Sequence, residues 1–265
     1  MSPVPNIFGD AAGYDRFMGR WSRLAAPLFS EFAGLPDHGS ILDLGCGTGS
    51  LSFVMAAVRP NCRIVGIDRS ADYVSFARNR VPRSSVQFQT ADAQSLPFSS
   101  GAFDSVVSLL VFNFIPDPTK ALAEAHRVTR RGGSISAAVW DYSVGMRMLR
   151  AFWDSAVKLD PSADHLHEKH MPLCRAGQLA ELWRSGGLRE VEESSLEFGM
   201  RFENYDDFWT PFLFGQGPAG AYLKRLSADR IEALRDLLMC ELGNPTDQFV
   251  LPARLLAVRG TVPLD

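Results

Sequence analysis

Short apolar runs alternate with amphipathic stretches through the first half of this chain. The runs Ile41–Leu44, Ile64–Ile67, Val86–Phe88, Val106–Leu110 and Ile135–Val139 predict buried strands. Leu51–Val58, Ala71–Arg80 and Thr119–Val128 predict the helices between them. Ahead of the first run, Phe17, Trp21, Leu24, Leu28 and Phe32 recur at three- and four-residue spacing, which predicts a helix over 14–35 with Pro27 as a break. Strand–helix alternation of this length implies right-handed crossovers and a parallel sheet covered on both faces. After Trp140 the pattern changes. A helix at Ala176–Ser185, a strand at Leu188–Phe198 and a last strand at Leu255–Val258 stand among two stretches, 141–174 and 200–245, that read as irregular and rich in aromatics. These two stretches are expected to be insertions forming a lid over one edge of the sheet. The fold class is therefore α/β: a single domain over 1–265 with a Rossmann-like, doubly wound, seven-stranded, mostly parallel sheet. Its parts are a lead-in helix (14–35), a ligand-binding half (36–140), the two insertions and a final strand segment (246–265).

Composition narrows the class. A hydrophobic content of 46% supplies a sizeable core, and no run approaches the roughly 20 apolar residues of a membrane span. Met1-Ser2-Pro3-Val4-Pro5 has neither a basic segment nor an apolar core, so no secretory signal is expected, and the expected location is the cytoplasm. The net charge of −3 disfavours nucleic acid as the main partner. The densest basic group, Arg127, Arg130 and Arg131, falls at an expected helix C-terminus, where the dipole favours cations. Cys46, Cys62, Cys174 and Cys240 lie far apart, as small buried or semi-buried side chains rather than a disulfide frame or zinc site.

The chemistry concentrates at the ends of the predicted strands. Ile41-Leu42-Asp43-Leu44-Gly45-Cys46-Gly47-Thr48-Gly49 carries a strand into a turn with glycine at every second position, and a helix follows at once. Glycine suits a sharp turn that must approach a ligand, and the N–H groups at the helix start can hold an acceptor group. Dinucleotide-binding turns use GxGxxG, whereas the spacing here is GxGxG. The second strand ends in Asp68, placed to accept both hydroxyls of a ribose or to cap the next helix; Ser70 is the better cap. After the third strand, Asp92 beside the Ala93 N–H can read the edge of an adenine or form a plain polar turn.

Together these pieces resemble the class I S-adenosylmethionine-dependent methyltransferases, in the branch of the ubiquinone and menaquinone biosynthesis and small-molecule enzymes. The resemblance rests on DLGCGTG (43–49), VGID (65–68), ADAQSLPFSSGAFD (91–104), FIPDP (114–118) and HRVTRRGG (126–133), in family order and spacing. The segment from Tyr14 to Arg23 is similar to the lead-in helix of that branch. The resemblance implies S-adenosylmethionine as cofactor, held by Tyr14, Arg23, Gly45, Cys46, Gly47, Asp68, Arg69, Asp92, Ala93 and Leu109. Gly45 and Gly47 would approach the methionine part, Asp68 the ribose, Arg69 the adenine and Leu109 the sulfonium. Many relatives carry histidine where Asn113 stands, and KPGG where Arg130-Arg131-Gly132-Gly133 stands. No metal, nucleic acid or membrane is implied, and neither the oligomeric state nor a catalytic residue can be read.

The expected activity is methyl transfer to a small molecule by in-line displacement. A protein that binds the cofactor without catalysis is one alternative, and a nicotinamide-dependent oxidoreductase is another, opposed by the glycine spacing. A nucleic-acid methyltransferase is opposed by the charge and by the absence of an Asn-Pro-Pro-aromatic motif after the fourth strand. His165, His167 and His170 are candidate bases, a solvated loop or, least favoured, metal ligands. Trp153, Phe208, Trp209, Phe212 and Phe214 are expected either to line an acceptor pocket, Trp153 and Trp209 among its lining, or to form the insertions' own core.

Overall fold

The computed structural model describes residues 10–80 and 86–265; the opening Met1-Ser2-Pro3-Val4-Pro5 lies outside the described residues. The chain enters through α1 (Ala11–Tyr14), a π-helical turn at Asp15–Gly19 and α2 (Arg20–Ala33). Phe17, Trp21, Ala25, Ala26 and Phe29 are buried along this run, whereas Leu24 stays 47% exposed. The π turn holds an extra residue and rotates the apolar stripe. Pro27 does not break α2. It sits on the exposed side of the helix, where water can reach the carbonyl that its missing N–H leaves unpaired.

Next come β1 (Gly39–Leu44), α3 (Ser50–Val58), β2 (Cys62–Asp68), α4 (Ala71–Arg78), β3 (Val86–Thr90), β4 (Phe103–Leu109), α5 (Pro118–Val128) and β5 (Thr129–Trp140). The second half contributes α6 (Arg147–Leu159), α7 (Gln178–Ser185), β6 (Arg189–Phe202), α8 (Tyr205–Trp209), α9 (Gly217–Leu223), α10 (Ala228–Glu241) and β7 (Phe249–Thr261). The seven strands form one sheet in the order β3-β2-β1-β4-β5-β7-β6. Pairing is parallel from β3 through β5 and antiparallel where β7 joins β5 and β6. Crossovers from β1 to β3 step toward one edge and that from β4 to β5 toward the other. With a constant right hand, their helices cover opposite faces. The strand order reverses between β1 and β4, so the loops leaving them diverge and open a crevice at the strand C-terminal ends.

The insertions are more regular than expected. α6 and α10 pack on each other, tied by Lys158 and Glu241 at 2.6 Å. The apolar spacing Leu149, Phe152, Trp153 and Ala156 explains α6: all four are buried. Phe152 stacks on Phe212 at 4.8 Å, and Phe17 meets Phe212 at 5.2 Å, so one aromatic core joins both insertions to the lead-in segment. β5, β6 and β7 are each longer than the apolar runs that predicted them. Arg130 and Arg131 accordingly belong to β5 rather than to a helix end. The basic group is consumed internally: Arg127 binds Glu124 at 2.7 Å, Arg130 binds Asp104 at 2.6 Å, and Arg131 donates to the Leu264 carbonyl at 3.1 Å. Cys46, Cys62 and Cys174 are buried, and Cys240 is exposed. Among the described residues no helix is long and apolar enough to cross a membrane.

Candidate functional site

The glycine turn leaves β1 with positive φ at Gly45 (+77°) and Gly47 (+53°). Gly45 and Cys46 both donate to the Ile67 carbonyl at 2.8 Å, which ties the turn to β2. A Cβ on Gly45 would stand 2.5 Å from the Val111 methyls, so packing demands glycine there. A Cβ on Gly47 would meet nothing within 4 Å. Gly47 lines a cavity, and its missing side chain leaves that space open.

Ser70 caps α4, accepting from the Tyr73 N–H at 3.3 Å, yet this does not free Asp68. The Asp68 carboxylate accepts from Gly47 N–H at 3.0 Å through one oxygen and from Ser70 N–H at 2.8 Å through the other. It therefore pins the glycine turn to the start of α4 as well as facing the cavity. Burial raises its pKa, and the two N–H groups oppose that rise. A carboxylate offers about four acceptor positions, so lone pairs remain for a ligand diol.

The cavity, about 550 Å³, lies over the ends of β1, β2, β3, β4 and β5. Of the ten residues expected to hold a cofactor, nine line it: Tyr14, Gly45, Cys46, Gly47, Asp68, Arg69, Asp92, Ala93 and Leu109. Arg23 does not. It lies on the opposite side of the lead-in helix from Tyr14, Phe17, Met18 and Ser22, in a surface hollow with Arg16 and Arg20. Its guanidinium holds Asp15 at 2.8 Å, and Asp15 accepts from the Thr48 hydroxyl at 3.4 Å, so Arg23 reaches the glycine turn only through a neighbour. Asp92 also serves its own turn, accepting from Gln94 N–H at 2.8 Å. Tyr14 is half-buried, and desolvation of its hydroxyl, with Asp68 and Asp15 nearby, pushes its pKa up to about 12, so it stays protonated.

Several wall residues escaped the sequence reading. Asp43, at the end of β1, is 1% exposed and accepts from the Ser52 hydroxyl at 2.5 Å; burial pushes it up to about 7. The hydroxyls of Ser50 and Tyr73 have no hydrogen-bond partner among the described residues, although both residues line the cavity. From the other side come Phe17 and Met18 of the π turn, Trp140, Tyr142, Leu149, Glu168 and Gly217–Ala219. Phe17 belongs to the apolar stripe of the lead-in helix, whereas Met18 lies outside that stripe and is buried by the extra residue of the π turn.

The aromatic residues expected to line the acceptor side are corrected. Trp153 and Trp209 are absent from the cavity wall and are 0% and 3% exposed. Both belong to the aromatic core, Trp153 lying 5.4 Å from Tyr222 and Trp209 lying 6.2 Å from Phe212. Phe208, Phe212 and Phe214 are off the wall as well. The histidines do not reach it either. His165 is exposed and binds the Ser162 carbonyl, and His170 faces Asp164 at 3.2 Å. His167 is buried against Asp154 at 3.3 Å, with its pKa lowered to about 4 by burial, so it is neutral at pH 7. Asn113 is buried off the wall, and neither end of its amide has a partner among the described residues.

The residue that does reach the cavity from this segment is Glu168. It is 3% exposed, accepts from Trp153 Nε1 at 2.7 Å, and is also hydrogen-bonded to Tyr142. Burial pushes its carboxyl up to about 7. A raised folded-state value means that the folded protein holds a proton which the unfolded chain has released between about pH 4.5 and 7. The associated stability is complete below that range and lost as pH rises through about 7. Glu168→Gln is therefore expected to match the wild type at pH 5 and to exceed it at pH 8 by on the order of 3 kcal/mol. Chemical denaturation of both proteins at the two pH values measures this, and equal stability at pH 8 contradicts it.

Comparison with known proteins agrees with this geometry. Residues 42–137 match the family model described as a methyltransferase domain. Over 118 residues the chain is 38% identical to the demethylmenaquinone methyltransferase of Thermus thermophilus, across 44% of this chain and 52% of that protein. Over 114 residues it is 32% identical to a ubiquinone/menaquinone biosynthesis C-methyltransferase of Desulfotalea psychrophila, across 43% of this chain and 45% of that protein. The matches thus span about half or less of these relatives' length. In fold, the structure is similar to phosphoethanolamine N-methyltransferase 2 of Haemonchus contortus, solved in complex with S-adenosyl-L-methionine. That match has a TM-score of 0.60 at 16% identity and covers 96% of this chain and 56% of the other. The glycine turn, the strand order and the methyltransferase domain at 42–137 together support a class I S-adenosylmethionine-dependent methyltransferase.

Proposed function

We propose that this chain transfers the methyl group of S-adenosylmethionine to a small-molecule acceptor. The observation that carries the reading is one continuous cavity. It joins the glycine turn and the carboxylates at the strand tips to an apolar wall built by the lead-in helix and both insertions. The residues present fit the cofactor: Gly47 leaves an open cradle, and the Tyr73 and Ser50 hydroxyls lack partners among the described residues. In this reading Asp68 receives the ribose hydroxyls, Asp92 and Ala93 meet the adenine edge, and Asp43 faces the amino-acid ammonium from beneath the turn. When bound, the cofactor supplies a methyl group on a positively charged sulfur, activated without covalent help from the protein. The task left to the chain is alignment and exclusion of water, and positioning alone is worth about 7–11 kcal/mol in well-oriented systems. Phe17, Met18 and Leu149 give the acceptor side an apolar lining suited to it.

Calorimetry tests the cofactor. S-adenosylhomocysteine should bind, and NAD should not. Asp68→Asn keeps the shape of the side chain but removes the charge and one acceptor, so affinity should fall by about 1.5–3 kcal/mol, roughly tenfold to a hundredfold. An unchanged dissociation constant in that variant contradicts the ribose assignment. Mass spectrometry of a metabolite extract incubated with protein and labelled S-adenosylmethionine should reveal a methylated small molecule.

A further inference from the structure

Glu168 is the ionisable group of the cavity's insertion side that the cofactor reading leaves without a task. Its carboxylate is fixed from two elements, by Trp153 Nε1 of α6 and by Tyr142 just after β5. Two donors fill about half of its acceptor positions. The titratable groups around it are Tyr142, Cys174 and, along its own turn, His167 and Lys169. Tyr142 and Cys174 are pushed up by burial and stay protonated, His167 is neutral, and Lys169 is engaged by Asp164. Among the described residues no cation forms an ion pair with Glu168. A buried carboxylate without a counter-cation is costly and readily takes up a proton. The wall beside it, with Phe17, Met18, Trp140 and Leu149, is apolar and partly aromatic, and suits an uncharged ring better than an ammonium.

Resting on the reading of the cavity as a methyl-transfer site, we propose that Glu168 is the general base that removes the proton from a phenolic or enolic hydroxyl on the acceptor. The hydroxyl oxygen forms the new bond to the methyl carbon, and the carbon–sulfur bond breaks with its electron pair going to sulfur. The positive charge on sulfur is thereby cancelled, and the hydroxyl proton passes to the Glu168 carboxylate and then to water. Its tuning to about 7 by burial suits this task, because a base is most effective when its pKa lies near the working pH. Trp153 and Tyr142 are positioning residues that keep the carboxylate directed into the cavity.

The decisive measurement is made on the S-adenosylhomocysteine complex and needs no turnover. The carboxyl stretching band of Glu168, identified in infrared spectra by its loss in Glu168→Gln, should disappear as pH rises, with a midpoint near 7. A group ionised throughout pH 5–9, or protonated throughout, overturns the proposal. In transfer from labelled S-adenosylmethionine into the metabolite extract, kcat should rise with pH to a plateau above about 7. Glu168→Gln should lower kcat by about 10²–10⁴-fold and abolish that pH dependence, leaving S-adenosylhomocysteine affinity within about twofold. Glu168→Asp should keep the pH profile at a reduced rate. A Gln variant as fast as the wild type, one that loses cofactor affinity, or a product methylated on an amine nitrogen overturns the assignment. Failure of the wild type to bind S-adenosylhomocysteine sinks the cofactor reading instead, and the infrared titration of the free protein still reports on Glu168 separately.

Discussion

Gly47→Val should abolish S-adenosylhomocysteine binding while leaving a folded protein. The two halves of that expectation have separate physical grounds. A Cβ at position 47 meets no protein atom within 4 Å, so the added side chain collides with nothing in the free protein. The internal cost is the positive φ of +53°, a left-handed conformation that costs a β-branched residue about 1–3 kcal/mol. The new methyls project into the cavity beside Asp68, where the backbone has to lie against the ligand. Affinity should therefore fall by more than about a hundredfold, the equivalent of roughly 3 kcal/mol. Gly45→Ala is the contrast. Its Cβ would strike the Val111 methyls at 2.5 Å, so stability should suffer together with binding. Calorimetry with S-adenosylhomocysteine and a thermal melt distinguish the two variants. A Gly47→Val protein that still binds normally would show that this turn is not the cradle.

The glycine-turn half of the cavity wall was legible because its residues are local in sequence. A strand, a glycine-rich turn and a helix start are contiguous, so Gly45, Gly47, Asp68 and Asp92 could be placed from runs of a few residues each. All seven strands were also visible: the five parallel ones read as continuous apolar runs because both of their faces are covered, and the two antiparallel ones read through the apolar positions along Leu188–Phe198 and Leu255–Val258. What local reading misjudged were side chains with two duties. The helix-capping preference of Ser70 says nothing of a second duty for Asp68, which bonds the Ser70 N–H itself. Resemblance alone points to Arg23, and only the helical phase set by the π turn shows that it faces away from the cavity. On the insertion side the signal was non-local. Glu168 gains its position from Trp153, 15 residues earlier, and from Tyr142, and no spacing rule reports that contact. The three flanking histidines drew attention because their intrinsic pKa suits acid–base work, whereas burial shifts the glutamate into that range and His167 out of it. Trp153 and Trp209 illustrate the same limit: aromatic density marks a core and a pocket alike, and only packing separates them.

Trp153→Ala should accordingly be a stability mutation first. The indole is 0% exposed and lies 5.3 Å from Phe152, 5.8 Å from His167 and 5.4 Å from Tyr222, measured between ring centres. Removing a buried tryptophan of this kind costs about 3–5 kcal/mol through lost burial and the cavity left behind. Unfolding in denaturant should show that loss directly. A cost below about 1 kcal/mol would mean that the insertion core does not hold the protein together. Trp153→Phe separates packing from polarity. It keeps much of the ring volume but removes the Nε1–H that Glu168 accepts at 2.7 Å. The carboxylate then retains Tyr142 alone, and since that N–H stabilises the ionised form, the Glu168 pKa should move above about 7. The phenylalanine variant should thus be folded, bind S-adenosylhomocysteine like the wild type, and show its carboxyl infrared midpoint displaced to higher pH. An unmoved midpoint would show that Trp153 packs beside Glu168 without tuning it.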